Sequence, residues 1–147
     1  METVDIILAA GPLSETILQI AGNDDNTIFI RTPNNAFLLS ASGSRIVFEA
    51  VIDTPITANK ERILSALLTY NAVWKETGSV RMAMTGNGAD ALPILIADMI
   101  TDATFTGENV ARLIEDLDAK IQIWRDIIAN GADDGSDVIQ NDHSVRV

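Results

Sequence analysis

The 147-residue chain has no cysteine, which excludes disulfides, thiolate nucleophiles and cysteine-based metal sites together. A reducing compartment is compatible with that lack. Histidine occurs once, at His143, so neither a Ser–His–Asp triad nor a histidine metal cage has a framework to sit on. Aromatic residues make up 5% of the chain, and the core is therefore expected from Leu, Ile, Val and Ala. Cations are scarce as well: ten Lys and Arg stand against 21 Asp and Glu, a formal charge of −11. Phosphate backbones require clustered Lys and Arg, and Lys60-Glu61-Arg62 is the single local concentration, so a nucleic acid partner is not expected. An anionic membrane surface would repel the chain on the same ground. Such charge serves solubility, or steering toward a basic partner.

Long apolar runs are also missing. Residues 91–100 contain Pro93 and Asp98 and fall far short of the roughly 20 residues that span a bilayer. Residues 4–10 follow Glu2 and contain Asp5, the opposite flank to that of a secretory signal. The chain reads as soluble and cytoplasmic.

Against these absences, 47% of residues are hydrophobic, enough to bury a core in a chain of one-domain length. At residues 3–10, Val4, Ile7 and Leu8 share a helical face that Gly11-Pro12 would end, with a strand as the alternative. From residue 15 to 53 the period changes. Thr16-Ile17-Leu18-Gln19-Ile20, Thr27-Ile28-Phe29-Ile30, Ala36-Phe37-Leu38-Leu39 and the run from Arg45 to Ile52 are separated by short turn-rich segments. That pattern predicts hairpins and an antiparallel meander. A helix follows, with Thr57 as its expected cap and Ile63, Leu67 and Tyr70 on one face. Val80, Met82 and Met84 then alternate with Arg81, Gly86-Asn87-Gly88 turns, and residues 92–97 return with Pro93 at an edge or near the strand's start. Thr106 caps the last helix, whose apolar stripe is Val110, Leu113, Leu117, Ile121, Trp124 and Ile128. The fold class is α+β, an antiparallel meander with helices packed on it, in the order α-β-β-β(β)-α-β-β-α. Residues 1–129 are read as a single domain. Residues 130–147, with Asp133, Asp134 and Asp137, are read as an acidic, disordered tail.

The search for chemistry returns little. Gly86-Asn87-Gly88 lacks the Gly-Lys-Ser/Thr of a phosphate loop and reads as a hairpin turn. Asn23-Asp24-Asp25-Asn26 lacks calcium-loop spacing and reads as a polar turn. Glu115-Asp116 and Asp98 with Asp102 are carboxylate pairs, the material of acid–base catalysis, but in an acidic protein such pairs are normally a solvated face. No catalytic residue, cofactor or metal site is assigned, and no enzyme activity is expected.

The helical segment Ile63-Leu64-Ser65-Ala66-Leu67-Leu68-Thr69-Tyr70-Asn71 resembles the leucine-rich helix ending in Asn of the type III secretion chaperones, the Tir-chaperone-like group. The run from Phe105 through Leu113, Leu117, Ile121 and Trp124 to Ile128 resembles that group's closing helix, and residues 82–84 and 92–96 its hairpin. The likeness covers roughly residues 1–129 and extends to uncharacterised bacterial families such as the YbjN-like proteins. It implies a small, acidic, cytoplasmic homodimer that holds an extended segment of another protein. The alternative it leaves open is a structural or regulatory dimeric binding protein without a secretion client. Two surfaces follow as candidates. Residues 27–32 or 92–97 could be open sheet edges that accept a strand. Val73 and Trp74, just past the central helix, could contact the partner; otherwise Trp74 seals the core beneath the following loop.

Overall fold

The computed structural model describes residues 2–23, 25–73, 80–86, 88 and 90–130. The amphipathic N-terminal segment forms a helix, α1 (Thr3–Leu8), closed by a 3₁₀ turn at Gly11–Leu13 where Pro12 cannot continue it. Helix rather than strand is therefore the outcome there. The meander follows as β1 (Gln19–Gly22), β2 (Thr27–Arg31), β3 (Ala36–Ser42) and β4 (Arg45–Val51). After it come α2 (Lys60–Ala72), β5 (Arg81–Met84), β6 (Pro93–Ile100) and α3 (Gly107–Ala129). The strands form one antiparallel six-stranded sheet in the order β1-β2-β3-β4-β6-β5. This is the α+β arrangement the hydrophobic periodicity predicts, with four strands in the meander.

Contacts divide the chain into two compact units. Among the described residues, the first comprises those within 1–50 and 97–120, the second those within 51–96 and 121–130.

In the first unit, alternate strand residues are buried: Ile28 and Ile30 on β2, Phe37 and Leu39 on β3, Ile46 and Phe48 on β4. Ile7 of α1 and Val110, Ile114 and Leu117 of α3 belong to the same apolar set. The register pairs these residues directly, Ile30 opposite Phe37 and Leu39 opposite Phe48, so the buried face is a set of cross-strand apolar pairs. Three polar tethers hold α3 to the chain before it. Ser14 Oγ donates to Glu115 at 2.5 Å, and Thr32 Oγ1 and Asn35 Nδ2 both donate to Asp118 Oδ1, at 2.7 and 2.6 Å. The start of α3 carries the expected cap in reciprocal form: Asn109 N–H donates to Thr106 Oγ1, and Thr106 N–H to Asn109 Oδ1. Gly107 allows a close approach there: a Cβ would sit 3.2 Å from the Ile6 carbonyl oxygen, a tight contact.

The second unit is centred on Tyr70 of α2 and Trp124 of α3, whose rings meet edge-to-face at 5.4 Å and 81°. Ile63, Leu67, Met82 and Leu95 complete its apolar set.

Several local expectations shift. β1 begins at Gln19, because Leu18 and Gln19 face the single residue Arg31: Leu18 N–H donates to the Arg31 carbonyl at 2.8 Å while Gln19 is its register partner. Two residues against one is a β-bulge, and pairing becomes regular only beyond it. Thr57 does not cap α2. Asn59 precedes the first turn in the left-handed conformation (φ 53°), which Asn tolerates, and makes no side-chain cap. Leu113 falls off the buried stripe of α3, and Ala111, Ile114, Lys120 and Ile127 join it. Lys120 is buried to 4% exposure because its stem lies along apolar surface while its ammonium reaches both Asp116 oxygens at 2.9 Å. Pro93 opens β6, the position where a missing N–H costs least. The acidic tail expected at 130–147 lies outside the described residues except for Asn130, which sits in the turn after α3.

Candidate protein-binding surface

The sequence expects the strand-accepting edges at residues 27–32 or 92–97, and the topology corrects both. β2 lies between β1 and β3, and β6 between β4 and β5. β6 is internal because, after α2, the chain lays β5 at the margin and returns β6 against β4, an arrangement no local pattern encodes. The edges are β1 and β5.

At β1 the edge is exposed. Asn23 N–H donates to the Thr27 carbonyl at 2.8 Å, and this sets the alternation of the antiparallel ladder. Gln19 and Ala21 then face β2, while Ile20 and Gly22 direct their N–H and C=O groups away from it. Gln19, Ala21 and Gly22 are exposed and Ile20 is half-buried. Leu18, just before this strand, is exposed (57%), and so is Leu13 in the 3₁₀ turn before it (51%). Helix α1 and the turn after it pack beside the strand: a Cβ on Gly22 would lie 3.7 Å from Val4, and one on Gly11 3.0 Å from Ile20.

At β5 the edge is occupied from within. Thr85 N–H donates to Leu92 at 2.8 Å, so Ala83 and Arg81 bond to β6 and Met82 points outward. Met84 points outward in the same phase, and the carboxamide of Asn71, at the end of α2, takes both outward groups of Met82. Its Nδ2 donates to the Met82 carbonyl at 2.7 Å, and the Met82 N–H donates to its Oδ1 at 2.8 Å.

A third feature is the sheet face opposite the buried one. In the first unit it carries Phe29, Leu38 and Val47, with Leu38 41% exposed. In the second it carries Val51 (45% exposed), Ile94 and Ile96. An antiparallel sheet with one solvated face normally alternates apolar with polar. Here Ile28-Phe29-Ile30, Phe37-Leu38-Leu39 and Ile46-Val47-Phe48 are unbroken. That local loss of alternation is the sequence signal for apolar residues on the outer face, where Thr27, Arg31, Ser40, Arg45 and Glu49 stand beside them.

A groove of about 480 Å³ lies within the first unit, floored by Met99, Ile100, Phe105 and Leu113 and rimmed by Asp102, Arg112 and Asp116. Leu113 lines it, which accounts for its absence from the buried stripe.

Of the two contact residues expected from sequence, Val73 is half-buried just past α2, its N–H donating to the Tyr70 carbonyl at 3.3 Å. Trp74 lies outside the described residues. The carboxylate pairs do not converge. Glu115 accepts from Ser14, Asp116 pairs with Lys120, Asp98 with Arg45 at 3.5 Å, and Asp102 accepts from Thr104. The Thr104 hydroxyl holds the Asp102 carboxyl below the ordinary aspartate value, and the Thr27 hydroxyl does the same for Asp25. Among the described residues no group of three or more metal-ligating side chains gathers, and no helix is long and apolar enough to cross a membrane.

No protein-family model and no curated protein matches the chain in sequence. Solved structures do match in fold. A chain of the HopA1–SchA chaperone–effector complex superposes with TM-score 0.62 and 11% identity, over 83% of this chain and 91% of that one. A chain of the ExsC–ExsE complex superposes with TM-score 0.64 and 14% identity, over 87% and 97%. YbjN from E. coli, described as a putative transcription regulator, superposes with TM-score 0.57 and 9% identity, over 88% and 93%. The chaperone-like fold resemblance read from Ile63–Asn71 and Phe105–Ile128 is borne out at this level.

Proposed function

We propose that residues 1–129 act as a protein-binding, chaperone-like module that holds an extended segment of a partner protein without catalysing a reaction. The observation that carries this reading is the open β1 edge beside a sheet face that carries Phe29, Leu38 and Val47 among its polar residues. An extended segment added at β1 satisfies the outward groups of Ile20 and Gly22 and places alternate side chains against that face or against α1. Exposed leucines at positions 13, 18 and 38 supply the apolar contact that main-chain pairing lacks. The charge of −11 favours clients with basic flanks. One of the solved structures the chain resembles, HopA1–SchA, is a chaperone–effector complex, which supports a protein client. A cytoplasmic homodimer is part of the same proposal.

A second reading, a structural or regulatory binding protein with no secretion client, is favoured by the likeness to YbjN. Affinity capture from the native host with mass spectrometry separates the two. A client bound through an unfolded segment, and lost in Leu38→Asp, supports the first. A folded partner in fixed stoichiometry supports the second, and a strict monomer by light scattering removes the homodimer.

A further inference from the structure

The two sheet edges differ in a way the chaperone-like reading does not require. At β5, the N–H and C=O of Met82, in mid-strand, are the first of two outward pairs (Met84 carries the other) that a neighbouring antiparallel strand would engage, and Asn71 engages both groups of Met82 with one side chain. A primary carboxamide carries an N–H on the same side as its C=O, so donor and acceptor stand side by side as the N–H and C=O of one strand residue do. Fixed at the end of α2 by the buried Tyr70 before it, it presents to β5 what one residue of an added strand would present.

We propose that Asn71 is an edge lock: its carboxamide stands in for a strand at Met82 and bars strand addition at β5. A partner segment is thereby directed to β1, one segment per chain. Only the direction of entry rests on the strand-accepting reading above; closure of β5 stands on the Asn71–Met82 geometry alone. The lock also explains how an edge strand as short as Arg81–Met84 avoids pairing with a second copy of the chain, a hazard for any open edge.

The test is residue-resolved hydrogen–deuterium exchange and light scattering on the full chain, wild type against Asn71→Ala. The Met82 amide is expected to exchange about tenfold faster in the variant, as loss of one hydrogen bond implies. Arg81 and Ala83, bonded to β6, should change by less than about threefold, since their partners are untouched. The variant should also form an assembly larger than the wild type, because β5 can now pair. Unchanged Met82 exchange, or equal acceleration at Arg81, Met82 and Ala83, overturns the lock, the latter because it marks general loosening. Should Asn71→Ala fail to fold, Asn71→Asp replaces it. Its carboxylate still accepts from the Met82 N–H but cannot donate to the carbonyl, so Met82 should stay slow while assembly rises. An assembly state identical to wild type in the folded variant overturns the proposal. No client enters these readouts, so failure of the lock leaves the protein-binding reading standing, and failed client capture leaves the lock standing.

Discussion

The two margins of the sheet solve the same problem by different means. An edge strand exposes backbone groups that must find partners or remain in water. β5 hands its outward pair at Met82 to a side chain from α2, two contacts at 2.7 and 2.8 Å. β1 has no such guard on Ile20 and Gly22 among the described residues; it is kept short, at four residues, and starts from a bulge at Leu18-Gln19. A guarded edge is suited to permanence and an exposed one to exchange. The difference teaches where a binding protein of this build can receive a strand while staying folded.

The strongest way to break the contrast is to remove what holds the guarding helix. Trp124 is 1% exposed and meets the ring of Tyr70, the neighbour of Asn71. Trp124→Ala is expected to cost about 3–5 kcal/mol, read as a shift in the urea midpoint, and to loosen the Met82 amide with it. A loss under about 1 kcal/mol would mean that α2 is held by something else.

The apolar face is tested by Leu38→Asp. Leu38 is 41% exposed on a strand whose other face is buried, so thermal unfolding should change by little, about 1 kcal/mol at most. Partner capture should fall by roughly tenfold or more, the loss of a buried leucine contact. Equal capture by variant and wild type would assign the client elsewhere.

A narrower change sharpens the view of β1 itself. In Ile20→Pro the missing N–H is one that faces away from β2, a position where an edge strand accepts proline. The fold should persist in circular dichroism, while affinity for an extended client drops about tenfold, one strand bond and the space of the ring being involved. Retained affinity would remove strand addition and leave only side-chain contacts.

The smallest effect is that of pH. The Thr27 hydroxyl holds Asp25 below the ordinary aspartate value, in the turn that joins β1 to β2. A depressed folded-state value means the hydrogen bond contributes fully above the ordinary value near 3.8 and is lost as pH falls through the depressed one. The Asn71–Met82 contact has no titrating group. Acid should therefore loosen the β1–β2 turn before the β5 guard, visible as an earlier NMR shift change at Thr27 than at Met82. Simultaneous changes would indicate global unfolding instead.

Much of this architecture was legible locally. Turn residues at 22–26, 33–35 and 42–44 separated the meander strands, and apolar spacing located both long helices to within a few residues. The failures share one cause. Thr57 was chosen as a cap by residue type, yet the chain enters α2 through a left-handed Asn59. Leu113 fits the helical period, but the buried arc is set by what faces the helix, and there a groove replaces packing. Residues 27–32 and 92–97 were named as edges although they carry internal strands. Each error concerns which neighbour a residue meets.

The sequence by itself determined the α+β class, the order of elements and the exclusion of thiol chemistry, because periodicity and composition are properties of single segments. Only the tertiary structure decided which strands lie at the margins and that Asn71 reaches across to Met82. It also decided that carboxylates such as Glu115 and Asp118 serve as tethers. Those outcomes depend on contacts between residues ten to a hundred positions apart, and no local pattern records such pairings.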